Sequence, residues 1–358
     1  MKRKLSENPI HEALDLSAMA GAIRLLQRES GEIPWSAGGK TDPWDHVESA
    51  MALSTAGYLE EARRAYAWSA SIQMEDGSFY ASYRDGRPEE RRKDPNMASY
   101  LAVGVFHHFL ITRDIGFLES MWPAVSAAVD FCVGLQGPCG EIWWAMDDDG
   151  RVDQRALLTG SSSIHLSIRC ALATAARLGH SRPRWEFARR KLAEAIRNRD
   201  DCFDMSKSRY SMDWYYPILC GAVTGNDAHR RIDEMWDLFV VENWGVRCVS
   251  DRPWVTMAES SELVLALAGI GRLADAERVF SWVRNSRYDD GLYWTGLTFP
   301  DSVIWPEERT SWTTAAVLLA ADVLYNYTPG GLVFCQDYWK RDIAPPRHVP
   351  AREKISAA

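Results

Sequence analysis

The chain has 358 residues, of which 46% are apolar and 25% are charged, and its formal net charge at pH 7 is -8. These proportions are typical of a globular protein with a large core and exclude a disordered chain. The acidic balance argues against nucleic acid as a partner, because phosphates are bound by clustered lysine and arginine. No signal sequence or membrane-spanning apolar run is recognisable, which predicts a cytoplasmic protein without a membrane partner.

Apolar periodicity predicts helices in pairs, an amphipathic outer helix followed by a more apolar inner helix. The outer helices are predicted at 11–28, 59–72, 115–135, 183–199, 225–240 and 273–286, and the inner helices begin near 45, 94, 162, 213, 259 and 310. Links from an inner helix to the next outer helix are short, whereas the opposite links are long and aromatic. Long loops are usually functional, so the functional face is expected at the N-terminal ends of the inner helices.

Six such pairs predict an all-α fold, an (α/α)6 toroid of helical hairpins. Turn residues within 140–150 and 290–296 predict short β-hairpins in the long loops of one face. We expect a single domain over 1–338 and a Pro-rich basic C-terminal tail over 339–358. The seven cysteines include no C-x-x-C pair, so neither a disulfide framework nor a standard zinc knuckle is expected. No cofactor is predicted.

Two inner helices begin with the same acidic pattern. Asp45 and Glu48 open the first, Glu259 and Glu262 open the fifth, and an apolar run follows each pair. Residues three apart share a helix face, and helix N-termini favour ionised carboxylates. Glycosidic cleavage needs two such carboxyl groups, one to protonate the leaving oxygen and one to activate water or attack carbon. Helix capping is the alternative role for any single first-turn acid, but the repetition favours catalysis.

Other polar and aromatic residues lie at the same predicted face, where aromatic rings can stack on sugars and polar groups can bind hydroxyls. Glu308 is an alternative base to Glu262, although capping or pairing with Arg309 would also explain it, and Glu259 is a third candidate base. For every candidate the alternative is a purely structural role, which for His165 is that of a core histidine. The candidate substrate-binding residues are Asp42, Trp44, Glu48, Asp94, Asn96, His165, Asp213, Trp214, Tyr215, Tyr216, Glu259, Trp305, Glu308 and Trp312.

With acids at the starts of its inner helices, the chain resembles the six-hairpin glycoside hydrolases, which include glucoamylases, trehalases and exo-mannosidases, over about residues 11–335. More narrowly, segments 41–48 (TDPWDHVE) and 305–318 (WPEERTSWTTAAVL) are similar to actinobacterial methylmannose polysaccharide hydrolases, which are endo-acting α-1,4-mannanases. This resemblance implies Asp45 as general acid, Glu262 as general base, inversion at the anomeric carbon, a polysaccharide or oligosaccharide substrate, and no metal.

A rival resemblance rests on two glutamine-glycine segments. Gln73 to Phe79 and Gln136 to Trp143 are similar to the Q-x-x-x-G-x-W repeats of terpene cyclases and prenyltransferases, which also use α/α toroids. The chain lacks the D-x-D-D acid of the cyclases, and zinc ligands of the prenyltransferases cannot be matched. That function predicts a closed apolar cavity, whereas the hydrolase predicts an open cleft with several acids. A non-catalytic glycan-binding toroid is a third interpretation of the same tryptophans and acids.

Overall fold

The computed structural model describes residues 15–340. Most of these residues are helical, and small antiparallel sheets occupy some of the connections. Residues 341–358 of the predicted basic tail lie outside the described residues, as do the first four residues of the helix predicted at 11–28.

The predicted outer helices are confirmed to within a few residues at each end. One of them, for example, begins where the side chain of Asp114 accepts a hydrogen bond from the backbone N–H of Phe117 at 3.0 Å. The outer helices are α1 (Leu16–Leu26), α3 (Leu59–Ile72), α6 (Ile115–Gly134), α8 (Pro183–Asn198), α10 (Gly225–Phe239) and α12 (Leu273–Val283).

The inner helices are also confirmed, with one shift in position. The third begins at Leu158, four residues before the predicted start, and the second is interrupted at Tyr100. They are α2 (Pro43–Thr55), α4 (Pro95–Ser99) with α5 (Leu101–Thr112), α7 (Leu158–Arg177), α9 (Ser211–Leu219), α11 (Met257–Gly269) and α13 (Ser311–Tyr325). A short helix, α14 (Gln336–Lys340), ends the described chain.

The inner helices contact one another in a closed cyclic order: α2, α5, α7, α9, α11, α13 and again α2. Each inner helix also packs against the outer helix that follows it in the chain, and α13, the last inner helix, packs against α1. The buried apolar cluster extends from Met19 to Phe334, so these helices share one core. Within residues 15–340, no helix combines the length and apolar character needed to cross a membrane.

Two four-stranded antiparallel sheets lie in the links from outer to inner helices. The first comprises β1 (Tyr80–Arg84), β2 (Arg87–Lys93), β3 (Trp143–Met146) and β4 (Val152–Ala156), and the second β5 (Val240–Val241), β6 (Gly245–Arg247), β7 (Trp254–Thr256) and β8 (Gly296–Thr298). The hairpin predicted within 140–150 is present as the β3–β4 pair, although β4 begins just beyond it. The turn predicted within 290–296 lies in a small hairpin that begins earlier, because Arg287 and Tyr293 form an antiparallel bridge around Asp290 and Gly291. Trp294 bridges to Arg309.

The glutamine-glycine segments have a structural role. In each, the glutamine Nε2 donates to the carbonyl of the glycine four residues later and to a carbonyl of the next outer helix. The pairs are Gln27–Gly31, Gln73–Gly77 and Gln136–Gly140, and the second acceptors are Glu61, Ala124 and Ala188. The pattern therefore ties neighbouring hairpins together and gives no support to a cyclase.

Candidate active site

A cleft of about 320 Å³ lies at the N-terminal ends of the inner helices, and all six inner positions of the ring contribute to its wall. Most of its residues come from the first two turns of those helices, which is where the sequence places the candidate acids. We call it the acidic cleft. It is lined by Trp35, Asp42, Trp44, Asp45, Glu48, Asn96, Met97, Thr159, Met212, Tyr216, Ala258, Glu259, Glu262 and Trp312.

A second cavity of about 260 Å³ adjoins the acidic cleft and shares Asn96, Thr159 and Met212 with it. We call it the outer lobe. Its wall is largely apolar, with the carboxyl groups of Asp94 and Asp213 at the helix ends. The outer lobe is lined by Asp94, Pro95, Asn96, Ile142, Trp144, Leu157, Thr159, Gly160, Ser161, Ile164, Lys207, Tyr210, Met212 and Asp213.

Asp45 lies one turn into α2, beside a second carboxylate that is fixed in place. Asp42 caps α2 by accepting from the backbone N–H groups of Trp44 and Asp45, both at 2.9 Å, and its other oxygen accepts from Trp35 Nε1 at 2.5 Å. The pKa of Asp45 is raised well above its usual value, first by burial and then by the charge of Asp42 and a hydrogen bond to it. These effects favour the protonated form of Asp45, which is the form that a general acid needs.

Glu262 lies below the cleft mouth on α11 and is only 5% exposed. Tyr215 donates to its Oε2 at 2.5 Å, and Tyr216 donates to its Oε1. Burial raises the pKa of Glu262 to about 8, with the charge of Glu259 adding to the rise, while the two phenol hydrogen bonds act in the opposite direction. Glu262 is thus an oriented carboxyl group that ionises near neutral pH, which suits a general base.

The deepest acid of the cleft is Glu48, which is 3% exposed. Its pKa is raised well above the usual value by burial, followed by the charges of Glu262 and Asp42. These effects favour the protonated form of Glu48, which can donate a hydrogen bond. Its protonation avoids a second buried negative charge beside an ionised Glu262.

The three candidate bases occupy different positions. Glu262 and Glu259 both line the acidic cleft, and the thiol of Cys248 is hydrogen-bonded to Glu259. Glu308 is exposed and is not among the residues that line the cleft or the outer lobe. The choice between Glu262 and Glu259 rests on orientation, since both oxygens of Glu262 are fixed by phenol groups.

Aromatic rings form one wall of the acidic cleft. Trp44 stacks on Tyr100 with ring centroids 4.1 Å apart and planes inclined by 17°. Trp312 packs beside Trp35 at 5.9 Å, and its Nε1 has no hydrogen-bond partner within residues 15–340. A rigid indole in the cleft wall is suited to stack on a sugar ring.

Two further candidates line the outer lobe. Asp213 accepts from both the backbone N–H and the hydroxyl of Thr159, at 3.1 and 2.6 Å. Asp94 caps α4, as Asp42 caps α2, and burial raises its pKa to about 6. Asn96 lines both cavities, and its Oδ1 is buried without a partner in the described part of the chain.

Some candidates are placed away from both cavities. His165 is buried two turns into α7, where its ring nitrogens lie 3.0 Å from the Cys220 carbonyl and 3.2 Å from Arg189. Burial lowers its pKa to about 3, so it is a neutral core histidine. The earlier start of α7 explains the displacement, because Thr159 takes the cleft position that the sequence pattern assigns around residue 162.

Trp214, Tyr215 and Trp305 also lie outside the cavity walls. Trp214 is buried and donates to the carbonyl of Arg231 at 2.7 Å. Tyr215 is fully buried and acts only through its hydrogen bond to Glu262. Trp305 is 55% exposed, and its carbonyl accepts from Trp254.

Several residues of the cavities are absent from the sequence-based candidates. Thr159, Met212 and Ala258 stand in the first turn of inner helices, so alignment of the true helix starts would have found them. Trp35 and Trp144 lie in connections, where the concentration of indoles was the available signal. Lys207 and Tyr210 lie in a connection with no such pattern.

Solved structures with a similar fold include a glycosidase in complex with glucose, with TM-score 0.65, 18% identity, and coverage of 87% of this chain and 97% of that one. A D-mannose isomerase has a TM-score of 0.66 and 10% identity, with coverage of 88% of this chain and 100% of that one. A novel alpha-amylase from Clostridium perfringens has a TM-score of 0.61 and 10% identity, with coverage of 88% of this chain and 99% of that one. At these identities the likeness concerns the fold alone. The fold is therefore one that occurs in glycosidases, and in this chain its cleft is lined by carboxyl groups.

The sequence matches no family model. It is, however, 50% identical over 315 residues to the MMP endo-(1,4)-3-O-methyl-alpha-D-mannosidase of Mycolicibacterium hassiacum. The aligned segment covers 88% of this chain and 87% of the relative. The chain belongs to the family of that endo-mannosidase, a family of glycoside hydrolases. This agrees with the resemblance of segments 41–48 and 305–318 and sets aside the cyclase and the non-catalytic interpretations.

Proposed function

We propose that the chain hydrolyses internal α-1,4 linkages of a methylmannose polysaccharide with inversion at the anomeric carbon. Asp45 is the general acid, Glu262 is the general base, and the single domain over 1–338 is an (α/α)6 toroid. The observation that carries the proposal is the meeting of these two carboxyl groups, from different inner helices, in one cleft.

The environments of the two groups support their roles. Asp45 keeps its proton because burial and Asp42 oppose its ionisation, so it can protonate the leaving glycosidic oxygen. Glu262 can ionise because two phenols donate to it, so it can accept a proton from the attacking water. An inverting mechanism needs room for that water between the carboxyl groups, and both groups line the same cleft of about 320 Å³.

The continuity of the two cavities supports internal cleavage. The acidic cleft and the outer lobe join at Asn96, Thr159 and Met212, so a chain bound at the carboxyl groups can continue into the outer lobe. The relative whose name denotes an endo-acting mannosidase supports the same mode of cleavage.

The apolar wall of the outer lobe supports a methylated substrate. An O-methyl group removes a hydroxyl donor and adds apolar surface, which is stabilised by apolar contacts. Ile142, Leu157, Ile164 and Met212 offer such contacts, and Trp144 offers a ring face. The 3-O-methyl group in the name of the relative's activity is consistent with this chemistry.

The test is hydrolysis of methylmannose polysaccharide by wild type, Asp45→Asn and Glu262→Gln, measured as new reducing ends and as product size. We expect internal fragments from wild type and a turnover loss of about 10²–10⁴-fold in either variant, since that is the usual contribution of a general acid or base. Substrate binding, measured by calorimetry, should persist in both variants. Unchanged turnover in Glu262→Gln would refute the assignment of the base.

A further inference from the structure

The Gln136–Gly140 turn differs from its equivalents in the residues that flank its last glycine. In the turn that ends at Gly77, the flanking residues Asp76 and Ser78 hydrogen-bond to each other, at 3.0 Å through the Ser78 N–H and at 2.5 Å through its hydroxyl. In the turn that ends at Gly31, the N–H of Glu32 donates to Ser30 at 3.3 Å. These local hydrogen bonds close the turns.

Cys139 and Glu141 occupy the corresponding positions around Gly140, and they face another part of the chain instead. Cys139, Glu141 and Cys202 each offer a ligand atom, and these atoms lie within 4.8 Å of one another. Cys202 follows α8 in a short 3₁₀ helix, so the three residues bring two connections together. Within residues 15–340 this is the one group of three such side chains with metal-binding spacing.

The carboxyl group of Glu141 is the second observation. Glu141 is 7% exposed, and its Oε2 is buried without a hydrogen-bond partner in the described residues. A buried unpaired carboxylate oxygen is costly, and a bound cation would compensate it. A disulfide between the two cysteines would leave that oxygen unpaired.

We propose that Cys139, Glu141 and Cys202 form a binding site for one thiophilic divalent cation of the Zn²⁺ type. Two thiolates and one carboxylate are ligands that Zn²⁺ accepts, and a tetrahedral site with Zn–S bonds of 2.3 Å requires sulfur atoms about 3.8 Å apart. The observed spacing permits this with small side-chain movements. A solvent molecule would complete the coordination.

Arg199 is the cation that already contacts this group. Its Nη2 donates to Cys139 Sγ at 3.4 Å, and its guanidinium is paired with Asp201 through two contacts of 2.9 Å. The pairing with Asp201 offsets the charge of Arg199, which reduces its repulsion of a cation bound beside Cys139. Binding of a metal ion would displace this contact and the hydrogen bond between the Cys202 and Cys139 thiols.

The position suggests what the metal would do. Glu141 precedes Ile142 and Trp144 of the outer lobe, and Cys202 precedes Lys207 and Tyr210 of the same lobe. A metal bridge would fix the two walls of the outer lobe relative to each other. It would have no part in the chemistry at Asp45 and Glu262, so this site is independent of the proposed function.

The experiment uses the full chain, reduced, loaded with Zn²⁺ or Co²⁺ and passed through gel filtration before metal analysis. We expect one equivalent of Zn²⁺, a thiolate-to-cobalt charge-transfer band, and a higher Tm with Zn²⁺. Cys139→Ser and Cys202→Ser should lose the band and the Tm shift, and Glu141→Gln should weaken binding. Cys335→Ser, a change of a partly buried thiol elsewhere, should retain all three.

Metal content no higher in wild type than in the Cys139→Ser, Cys202→Ser double variant would overturn the proposal. So would a cobalt complex of wild type without the charge-transfer band, a measurement that does not depend on the folding of any variant. Loss of two titratable thiols in air, unaffected by Zn²⁺, would likewise overturn it and assign the pair to a disulfide.

Discussion

Replacing the phenols that hold Glu262 tests the assignment of the base through pH dependence. Tyr215 and Tyr216 each donate to one oxygen of the Glu262 carboxylate, and both are buried. Changing either to phenylalanine keeps the ring but removes a hydrogen bond that stabilises the ionised form. The pKa of Glu262, already raised to about 8 by burial, should therefore rise further.

The size of this effect follows from hydrogen-bond energetics. A hydrogen bond to a charged group contributes about 1.5–3 kcal/mol. Since about 1.4 kcal/mol corresponds to one pH unit, each replacement should move the ionisation of Glu262 upward by about one to two pH units. A general base must be ionised, so activity lost at low pH should be regained only at correspondingly higher pH.

The assay is kcat/KM for methylmannose polysaccharide as a function of pH, followed as new reducing ends. We expect the acid limb of the profile to move to higher pH in Tyr215→Phe and in Tyr216→Phe. The matched control is Tyr66→Phe, which removes an equally buried phenol whose hydroxyl donates to the carbonyl of Gly104 at 3.0 Å, away from the site. An acid limb that stays in place in both tyrosine variants would refute Glu262 as the base.

Three other predictions concern single residues. Glu262→Gln should raise the free energy of unfolding at pH 7 by up to about 3 kcal/mol. The pKa of Glu262 is about 8 in the folded state and 4.5 ordinarily, so the wild-type protein loses stability as pH rises between these values. Urea denaturation that finds no gain from the substitution at pH 7 relative to pH 4 would contradict this. Glu308→Gln should leave turnover unchanged because Glu308 is exposed outside the cleft, and a loss equal to that of Glu262→Gln would exclude our choice of base. Met212→Gln should lower kcat/KM for methylated substrate about fivefold, which corresponds to roughly 1 kcal/mol, and should affect an unmethylated α-1,4-manno-oligosaccharide less. Equal losses on both substrates would show that Met212 does not contact methyl groups.

The helix pairs were predictable because their sequence signals are local. Apolar periodicity places the outer helices, and Asp-Pro pairs cap two of the inner ones, at Asp42 and Asp94. The acids at positions 45 and 262 were found because they repeat at equivalent points of two inner helices. Ring closure by α13 against α2 depends on contacts between distant segments and follows only from the complete set of hairpins.

The errors have equally specific physical causes. The sequence pattern starts α7 four residues too late and so assigns His165 to the cleft. Trp305 is next to acids in the sequence, but that position does not determine which way its indole faces. The pairing of β8 with β7, and the approach of Cys139 to Cys202, join segments that share no local pattern. The sequence places Tyr215 among the substrate-binding candidates, whereas in the structure it is buried and contacts Glu262 instead. That contact depends on the packing of α9 against α11, which no local pattern predicts.

The anomeric configuration of the first product tests the acid and base assignment most directly. Wild-type enzyme should be mixed with methylmannose polysaccharide, and proton NMR spectra recorded before mutarotation equilibrates the new reducing ends. With water activated by Glu262 and the leaving oxygen protonated by Asp45, the α-linked substrate should first release β-configured reducing ends. Initial release of the α-anomer would contradict this mechanism.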